Sequence, residues 1–250
     1  MKETAFYINN QEYFERLLSK GLGDHPHQFR IGECLFEWWC ATDDCARRRW
    51  KNLRSEDPAY TKKAVQEHPN KILPQYGITH KFFDYTLENF KKYPQVVEIC
   101  QRYIKSENRK SILILGSPGT GKTHIAIAIM QELIKAGIKN MQFKSTPDLL
   151  MSIRRSYDDD SETKDAVIID RFIKYSFLVL DDFGAENITE FTASALYMIV
   201  NGRLSEEKPT IVTSNLAMEE INETMPRIAS RFAEYEIWDF SNKPDYRKNR

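Results

Sequence analysis

The feature that most constrains this chain is a glycine-rich octapeptide between a predicted strand and a predicted helix. Residues 116–123 read GSPGTGKT and directly follow the apolar run SILIL, which is typical of a strand buried on both faces of a parallel sheet. Beyond them, apolar residues recur at helical spacing as far as Gly137, a residue type that often ends helices. A strand, a glycine-rich turn and a helix in this order predict a phosphate-binding loop.

The octapeptide matches the Walker A pattern at every fixed position. Glycines let the backbone wrap closely around phosphates with its N–H groups pointing inward. Lys122 is expected to reach the β- and γ-phosphates, and the Thr123 hydroxyl to bind Mg²⁺. A chance glycine-rich turn is the alternative, and the flanking strand and helix argue against it. We therefore predict that ATP and Mg²⁺ bind at Gly116, Ser117, Pro118, Gly119, Thr120, Gly121, Lys122, Thr123 and His124.

A second pattern, FLVLDD at residues 177–182, places two carboxylates at the end of an apolar strand. Open α/β folds bind ligands at the carboxyl edge of the sheet. Asp181 is therefore expected to lie beside the Mg²⁺ bound by Thr123, and Asp182 to polarise the attacking water. On this stretch alone, two solvated aspartates that end a strand fit equally well. The complete Walker A pattern upstream favours the catalytic interpretation.

A polar amide follows the predicted strand 209–213, since Ser214 and Asn215 come next in the chain. An amide at the end of a strand beside the Asp181 strand can hold the lytic water or touch the γ-phosphate. Asparagine after a strand is more often a turn residue. Asn215 is therefore a candidate catalytic residue whose assignment depends on the neighbouring motifs.

Two arginines, Arg227 and Arg231, are spaced four residues apart in MPRIASRF, residues 225–232. This spacing places both on one face of a helix, where a surface ion-pair network is the ordinary explanation. The functional alternative is an arginine supplied in trans to the γ-phosphate of a neighbouring subunit. Spacing alone leaves both explanations open for Arg227 and Arg231.

Strand and helix patterns alternate through the second part of the chain, which predicts an α/β fold with a mostly parallel sheet. The predicted strands cover residues 141–144, 177–180 and 210–213, with a last strand through Trp238. The predicted helices cover residues 88–105, a segment opening at Thr146, residues 189–204 and a segment through Arg231. We assign residues 76–250 to this domain.

Residues 1–75 mix aromatic, charged and proline-containing stretches, and we interpret them as a small, mainly helical region that binds a partner. Apolar residues between 6 and 18 fit one amphipathic helix. Zinc prefers four soft or borderline ligands, and this region offers a candidate set: His27, Cys34, Cys40 and Cys45. Their spacing is not that of a compact zinc knuckle, and the cysteines could instead pack as small apolar residues.

The stretch RRRWKNLR, residues 47–54, surrounds one tryptophan with five basic residues. Such a combination can hold a phosphate backbone and stack a base. A solvated helix face neutralised by Asp43 and Asp44 is the commoner explanation, and a protein-binding surface is a further alternative.

The chain has no run of about 18 apolar residues, and its first twenty residues lack the apolar core of a signal peptide. Four cysteines in 250 residues do not make a disulfide scaffold. We therefore expect a cytoplasmic protein without a membrane span. The net charge of zero gives no global attraction to DNA.

The order of these motifs resembles that of the DnaC/DnaI/IstB family of AAA+ ATPases, which comprises replicative helicase loaders and transposition helper ATPases. The resemblance runs from ITHKFFDYTLENF at residues 78–90 through GSPGTGKTHIA, TPDLLMSIRRSY, FLVLDDFGAE and PTIVTSNL to RIASRF. It implies that Asn215 is the sensor asparagine, that Arg231 is the arginine finger, and that the nucleotide lies between subunits. It also implies single-stranded DNA binding within a helical or ring-like assembly.

Two departures from the wider AAA+ pattern affect what we expect. Many AAA+ proteins have Asp-Glu where this chain has Asp181-Asp182, so the group that polarises water is one methylene shorter and hydrolysis should be slow. Little sequence follows Arg231, so we expect no full lid domain. Loaders that this chain resembles also lack a full lid.

We expect an ATPase of the helicase-loader type that binds single-stranded DNA, associates with itself through a composite ATP site and delivers a replicative helicase. An IstB-like ATPase that assists a transposase in selecting target DNA shares every motif. A P-loop small-molecule kinase would need an acceptor pocket and a mobile basic lid. A non-catalytic adaptor is also compatible with the Asp-Asp pair.

Overall fold

A computed structural model describes residues 26–31, 34–39, 58–90, 93–157, 164–185 and 189–245. Its strands are β1 (Pro26–Ile31), β2 (Cys34–Trp39), β3 (Ile112–Leu115), β4 (Met141–Ser145), β5 (Phe177–Phe183), β6 (Thr210–Ser214) and β7 (Glu236–Asp239). Its helices are α1 (Pro58–Glu67), α2 (Pro69–Ile72), α3 (Pro94–Lys105), α4 (Lys122–Lys135), α5 (Thr146–Tyr157), α6 (Lys164–Lys174), α7 (Glu190–Ser205), α8 (Met218–Thr224) and α9 (Pro226–Phe232). Short 3₁₀ turns cover Leu73–Tyr76 and His80–Phe82.

The centre of the fold is a five-stranded sheet in the order β4-β5-β6-β3-β7, in which all neighbouring strands are parallel. Its middle strands are continuous apolar runs because both of their faces are covered. The register pairs Leu115 with Ser214, so that β3 and β6 end at the same edge of the sheet. Asp181 pairs with Ser145 at that same edge. The predicted α/β fold class is confirmed, and the topology gathers the ends of three motif-bearing strands.

Alternate residues of each strand point into two hydrophobic layers. Ile112 and Ile114 of β3 belong to the layer that contains α4, whereas Leu113 and Leu115 belong to the layer that contains α5, α6, α7 and α9. The first layer also contains Val65 of α1. The hydrophobic core therefore includes a side chain from well before residue 76, and we propose that the ATPase domain begins near α1.

One predicted helix starts later than expected. The pattern predicts a helix from residue 88, but α3 begins at Pro94. Proline favours the first turn of a helix and disfavours helical conformation in the residue before it. Helix α6 was not predicted, whereas the strands β4, β5 and β6 and the helices α4 and α7 lie close to their predicted positions.

Strands β1 and β2 pair antiparallel, with Phe29 opposite Phe36 and Ile31 opposite Cys34. The expectation of a mainly helical region is wrong for these residues. The reason is a short period-2 alternation, since polar Gln28 and Arg30 alternate with Phe29 and Ile31. The helix predicted within residues 6–18 and the basic stretch 47–54 lie outside the described residues.

The proposed zinc ligands also fall where no side chain is described. Cys40 and Cys45 lie outside the described residues, and of His27 and Cys34 only the backbone is described. The zinc site stays a prediction. In the described part of the chain, no helix combines the length and apolar character that crossing a membrane requires.

Candidate functional site

The glycine-rich loop leaves the carboxyl end of β3 and continues into α4. Gly116 has φ 148° and packs so closely on Phe240 that an added Cβ would lie 2.7 Å from the Phe240 carbonyl carbon. Gly119 has φ 82°, in the left-handed region that favours glycine. The backbone therefore forms a tight cradle at the N-terminus of α4, where N–H groups and the helix dipole favour an anion.

Lys122 points back across this cradle. Its ammonium donates hydrogen bonds to the carbonyl oxygens of Gly116 at 2.7 Å and Ser117 at 2.9 Å. It also donates to Asn215 Oδ1 at 2.8 Å, which joins the loop to the end of β6. The Lys122 side chain is buried in the fold, so its charge is held at the place where phosphates are expected to bind.

Asp181 is buried at the end of β5, and the Thr213 hydroxyl donates a hydrogen bond to its carboxylate at 2.7 Å. Burial raises the pKa of the Asp181 carboxyl to about 6, while hydrogen bonds from Thr213 and Thr123 favour the ionised form. The buried Asp181 carboxylate and the Thr123 hydroxyl are hard oxygen ligands, which is the type of ligand that Mg²⁺ prefers. A bound cation would also relieve the cost of burying this charge.

Asp182 adopts a left-handed backbone conformation with φ 55°, at the irregular end of β5. Its N–H donates to the Thr213 hydroxyl at 3.0 Å, so that one threonine contacts both aspartates. Aspartate tolerates this conformation better than most residues. The two aspartates thus differ in exposure, with Asp181 buried and Asp182 half-buried beside it.

Thr213 is a functional candidate that sequence analysis missed. It is fully buried in β6, and its hydroxyl accepts from the backbone of β5 while donating to Asp181. A threonine inside an apolar strand looks like an ordinary β-former. Only the pairing of β5 with β6 reveals that its hydroxyl faces the aspartates.

His124 is the last of the residues predicted to bind nucleotide, and its side chain contacts residues 85–90, which precede the first strand of the five-stranded sheet. Its Nε2 lies 2.8 Å from the carbonyl oxygen of Thr86, which can only accept a hydrogen bond. Its ring stacks on Tyr85 at a centroid distance of 4.7 Å and an angle of 10°, with Phe90 nearby. The side chain therefore anchors α4 to residues 85–90, and its contact with nucleotide stays a prediction.

The segment after β7 also contacts the loop, which the sequence did not indicate. A Cβ added to Gly119 would collide with the Asp245 carboxylate. The segment is held by Phe240, which is buried, and by the Lys243 ammonium, which lies 4.1 Å from the Tyr93 ring centroid. A carboxylate is thus placed beside a loop whose chemistry favours anions.

Arg227 and Arg231 lie on α9 and contact the side chain of Tyr197 on α7. The guanidinium carbons lie 4.1 Å and 6.0 Å from the Tyr197 ring centroid, respectively. Arg231 Nη1 also lies 3.7 Å from Glu234 Oε1, and its side chain remains 35% exposed. The hydrogen bonds described above for Lys122 and Asp181 thus involve neither arginine, whose contacts are with Tyr197 and Glu234.

A sequence model of the family described as IstB-like ATP binding protein matches residues 78–229, which is more than half of the chain. The chain belongs to this family. Members of the family are ATPases, so the protein is a DnaC/IstB-like AAA+ ATPase that uses ATP and Mg²⁺. The matched residues contain the glycine-rich loop, both aspartates, Asn215 and Arg227.

Relatives of two kinds share this chain's sequence. The replicative helicase loader DnaC of Buchnera aphidicola subsp. Schizaphis graminum is 25% identical over 82% of this chain and 81% of its own length. A putative ATP-binding protein of insertion sequence IS5376 from Geobacillus stearothermophilus is 35% identical over 47% of this chain and 45% of its own length.

Solved structures show the same fold. A crystal structure of the DnaC helicase loader superposes with a TM-score of 0.57 and 22% identity, covering 64% of this chain and 99% of that one. AMPPCP-bound DnaA from Aquifex aeolicus superposes with a TM-score of 0.56 and 24% identity, covering 65% of this chain and 52% of that one. The chain therefore spans about half of that DnaA chain.

Proposed function

We propose that this protein is an ATP-dependent DNA replication protein that binds single-stranded DNA and delivers a replicative helicase. The observation that carries the proposal is the extent of the match to the Buchnera helicase loader, which covers 82% of this chain. Coverage this wide has to extend well upstream of residue 76, into the region that we propose contacts the helicase. The match to the insertion-sequence protein is more identical but covers 47% of the chain.

Each residue of the phosphate site has a defined part in this proposal. Lys122 exchanges its bonds to loop carbonyls for phosphate oxygens, since its three donors already converge on the cradle. Asp181 and Thr123 would hold Mg²⁺, which would supply positive charge to neutralise the phosphate oxygens. Asp182 accepts a proton from the attacking water, and Asn215 orients that water beside Lys122.

The last catalytic group comes from a neighbouring subunit. Arg231 lies at the surface, with its side chain 35% exposed, where a second copy of the chain can approach it. We propose that it reaches the neighbour's γ-phosphate and stabilises the charge of the transition state. Turnover should then be slow for isolated chains and faster in assemblies on single-stranded DNA.

Steady-state ATP hydrolysis across a series of protein concentrations, with and without single-stranded DNA, tests the composite site. Specific activity should rise with concentration and with DNA for the wild type and stay flat for Arg231→Ala. An activity independent of concentration and indifferent to Arg231 would remove the trans arginine from the mechanism. Stoichiometric phosphate release without any acceptor molecule separates ATPase activity from that of a small-molecule kinase.

The partner is tested by reconstitution with the replicative helicase of the same host on forked DNA coated with single-strand binding protein. A helicase loader should raise unwinding in an ATP-dependent way. The alternative, an IstB-like ATPase that assists a transposase, is supported by the insertion-sequence relative. Stimulation of strand transfer by a transposase, without any effect on unwinding, would favour that alternative.

A further inference from the structure

The arginine pair of α9 is held by a single aromatic side chain from another helix. Tyr197 lies on α7, and the Arg227 guanidinium stacks over its ring with the guanidinium carbon 4.1 Å from the centroid. The Arg231 guanidinium carbon lies farther out, at 6.0 Å. One tyrosine therefore contacts both cations, although the two arginines and the tyrosine are separated by some thirty residues in sequence.

Two like charges four residues apart on a helix repel each other, and long side chains in that situation spread apart unless something holds them. An aromatic face attracts a guanidinium without cancelling its charge. A tyrosine can therefore orient an arginine and leave its charge available to bind a phosphate group.

The remaining contacts of Arg231 restrict it further. Its Nε is buried without a hydrogen-bond partner among the described atoms, whereas Nη1 lies 3.7 Å from Glu234 Oε1 on the exposed side. The Nε of the guanidinium is thus covered, while the side chain as a whole remains 35% exposed. Hydrogen bonding to the guanidiniums of Arg231 and Arg227 lowers the pKa of the Tyr197 phenol.

We propose that Tyr197 is a positioning residue that aims Arg231 at the ATP site of a neighbouring subunit. The inference rests on the proposed composite site and adds to it the side chain that orients the arginine. Tyr197 acts through Arg231 and touches no substrate. Its effect should therefore appear in the subunit that donates the arginine and not in the subunit that hydrolyses ATP.

Mixed assemblies separate the two subunits. The acceptor is Arg231→Ala, which retains its own phosphate site but has no arginine to donate. The donor is Lys122→Ala, which retains Arg231 but has lost its own phosphate-binding lysine. Neither should turn over alone, and mixing them on single-stranded DNA should restore hydrolysis at the acceptor sites.

Tyr197→Ala is then introduced into the donor or into the acceptor. In the donor it should lower the restored kcat by about 10- to 100-fold with little change in KM, since misplacing a catalytic group by about 1 Å can cost 100-fold. In the acceptor it should have no effect. Tyr197→Phe in the donor should recover part of the activity, because it retains the ring face but loses the hydrogen bonds of the hydroxyl to the guanidiniums.

Met198→Ala in the donor is the matched control. Met198 is the next residue on α7, its side chain is exposed, and the ring that contacts the arginines belongs to Tyr197. All variants are first compared for thermal unfolding midpoint, and the acceptors also for ATP binding, to detect misfolding. Equal losses from donor and acceptor, or no loss from the donor, would overturn the inference while leaving the composite site intact. Failure of the unmodified donor to restore hydrolysis would instead overturn the composite site, and the inference with it.

Discussion

The two sides of the proposed composite site are constructed differently. On the phosphate side, Lys122 and Asp181 are buried and hydrogen-bonded to groups of their own subunit. On the arginine side, Arg231 is 35% exposed and is held by an aromatic ring and an exposed glutamate. The phosphate side is thus complete within one chain, whereas the arginine side needs a neighbour before it can act.

This difference follows from where each side lies in the fold. Three parallel strands end at the phosphate side, so the sheet itself fixes the spacing of its polar groups. The arginine side is a helix surface, where only contacts between side chains fix orientation. Preorganised groups stabilise a transition state because they need no reorganisation when charge develops. In the proposed composite site, Tyr197 orients the arginine within its own subunit, and assembly brings the arginine to the phosphates of the neighbour.

The largest effect is expected on the phosphate side, from Lys122→Ala. Loss of the buried ammonium should abolish detectable ATP binding and lower turnover by at least about 1000-fold, since it removes a charge-assisted contact to two phosphates. Titration with a fluorescent ATP analogue measures the binding. Lys135→Ala is the control, because Lys135 pairs with Glu132 at the end of the same helix that is remote from the phosphate loop. Retained tight ATP binding in Lys122→Ala would mean that the loop assignment is wrong.

The next effect is expected on the arginine side, from Arg231→Ala. Turnover should fall by about 1000-fold, as is typical when an arginine finger is removed, while ATP binding by the isolated chain stays unchanged. Binding and steady-state hydrolysis are measured on the same preparation. A loss of ATP binding comparable to that of Lys122→Ala would show that the two sides do not differ as described.

A third comparison contrasts Arg231 with Arg203, a fully buried arginine. Arg203 donates hydrogen bonds to Thr210 Oγ1 and to four backbone carbonyl oxygens that link the end of α6 to β6. Arg203→Met should lower the free energy of unfolding by about 3 kcal/mol, because buried acceptors lose their donor. Chemical denaturation measures it.

Arg231→Met is the matched control for that measurement. Its free energy of unfolding should stay within about 0.5 kcal/mol of the wild type, as expected for a surface substitution. Equal destabilisation by the two variants would mean that Arg231 is part of the folded core and not a group reserved for a neighbour.

A smaller effect is expected from Thr213→Val, which keeps the shape of the side chain but removes the hydroxyl shared by Asp181 and Asp182. Residues that orient metal ligands are typically worth about 10- to 100-fold in metal affinity, and we expect the lower end of that range for Mg²⁺. A Mg²⁺ titration of ATP hydrolysis gives the apparent affinity. Thr224→Val on exposed α8 should leave it unchanged, and an unchanged value for Thr213→Val would exclude the orienting role.

The smallest effect concerns Asp245, whose carboxylate lies beside Gly119. Asp245→Asn should tighten MgATP binding by about threefold, because it removes a negative charge close to the phosphate loop at moderate screening. Equilibrium binding at two salt concentrations measures it, and the gain should shrink at the higher salt. Glu219→Gln, which removes an exposed carboxylate of α8, is the control. Weaker binding in Asp245→Asn would indicate that the carboxylate contacts the nucleotide favourably.

Much of the fold was predictable from local pattern. The apolar run before Gly116 and the one before Asp181 predicted β3 and β5, because strands buried on both faces are continuously apolar. The strand pairing at residues 26–39 was not predicted. Its alternation covers only a few residues, and so short a pattern competes poorly with the mixed composition around it.

The chain by itself determined the chemistry of the phosphate side, since GSPGTGKT and FLVLDD contain the needed residue types in consecutive positions. Tertiary structure decided which further side chains serve those residues. Thr213 reaches both aspartates, Tyr197 reaches both arginines, and Asp245 reaches the loop. Each of these contacts joins residues far apart in the chain, and no local spacing or periodicity encodes such a contact. Only the packing of the sheet and its helices brings them together.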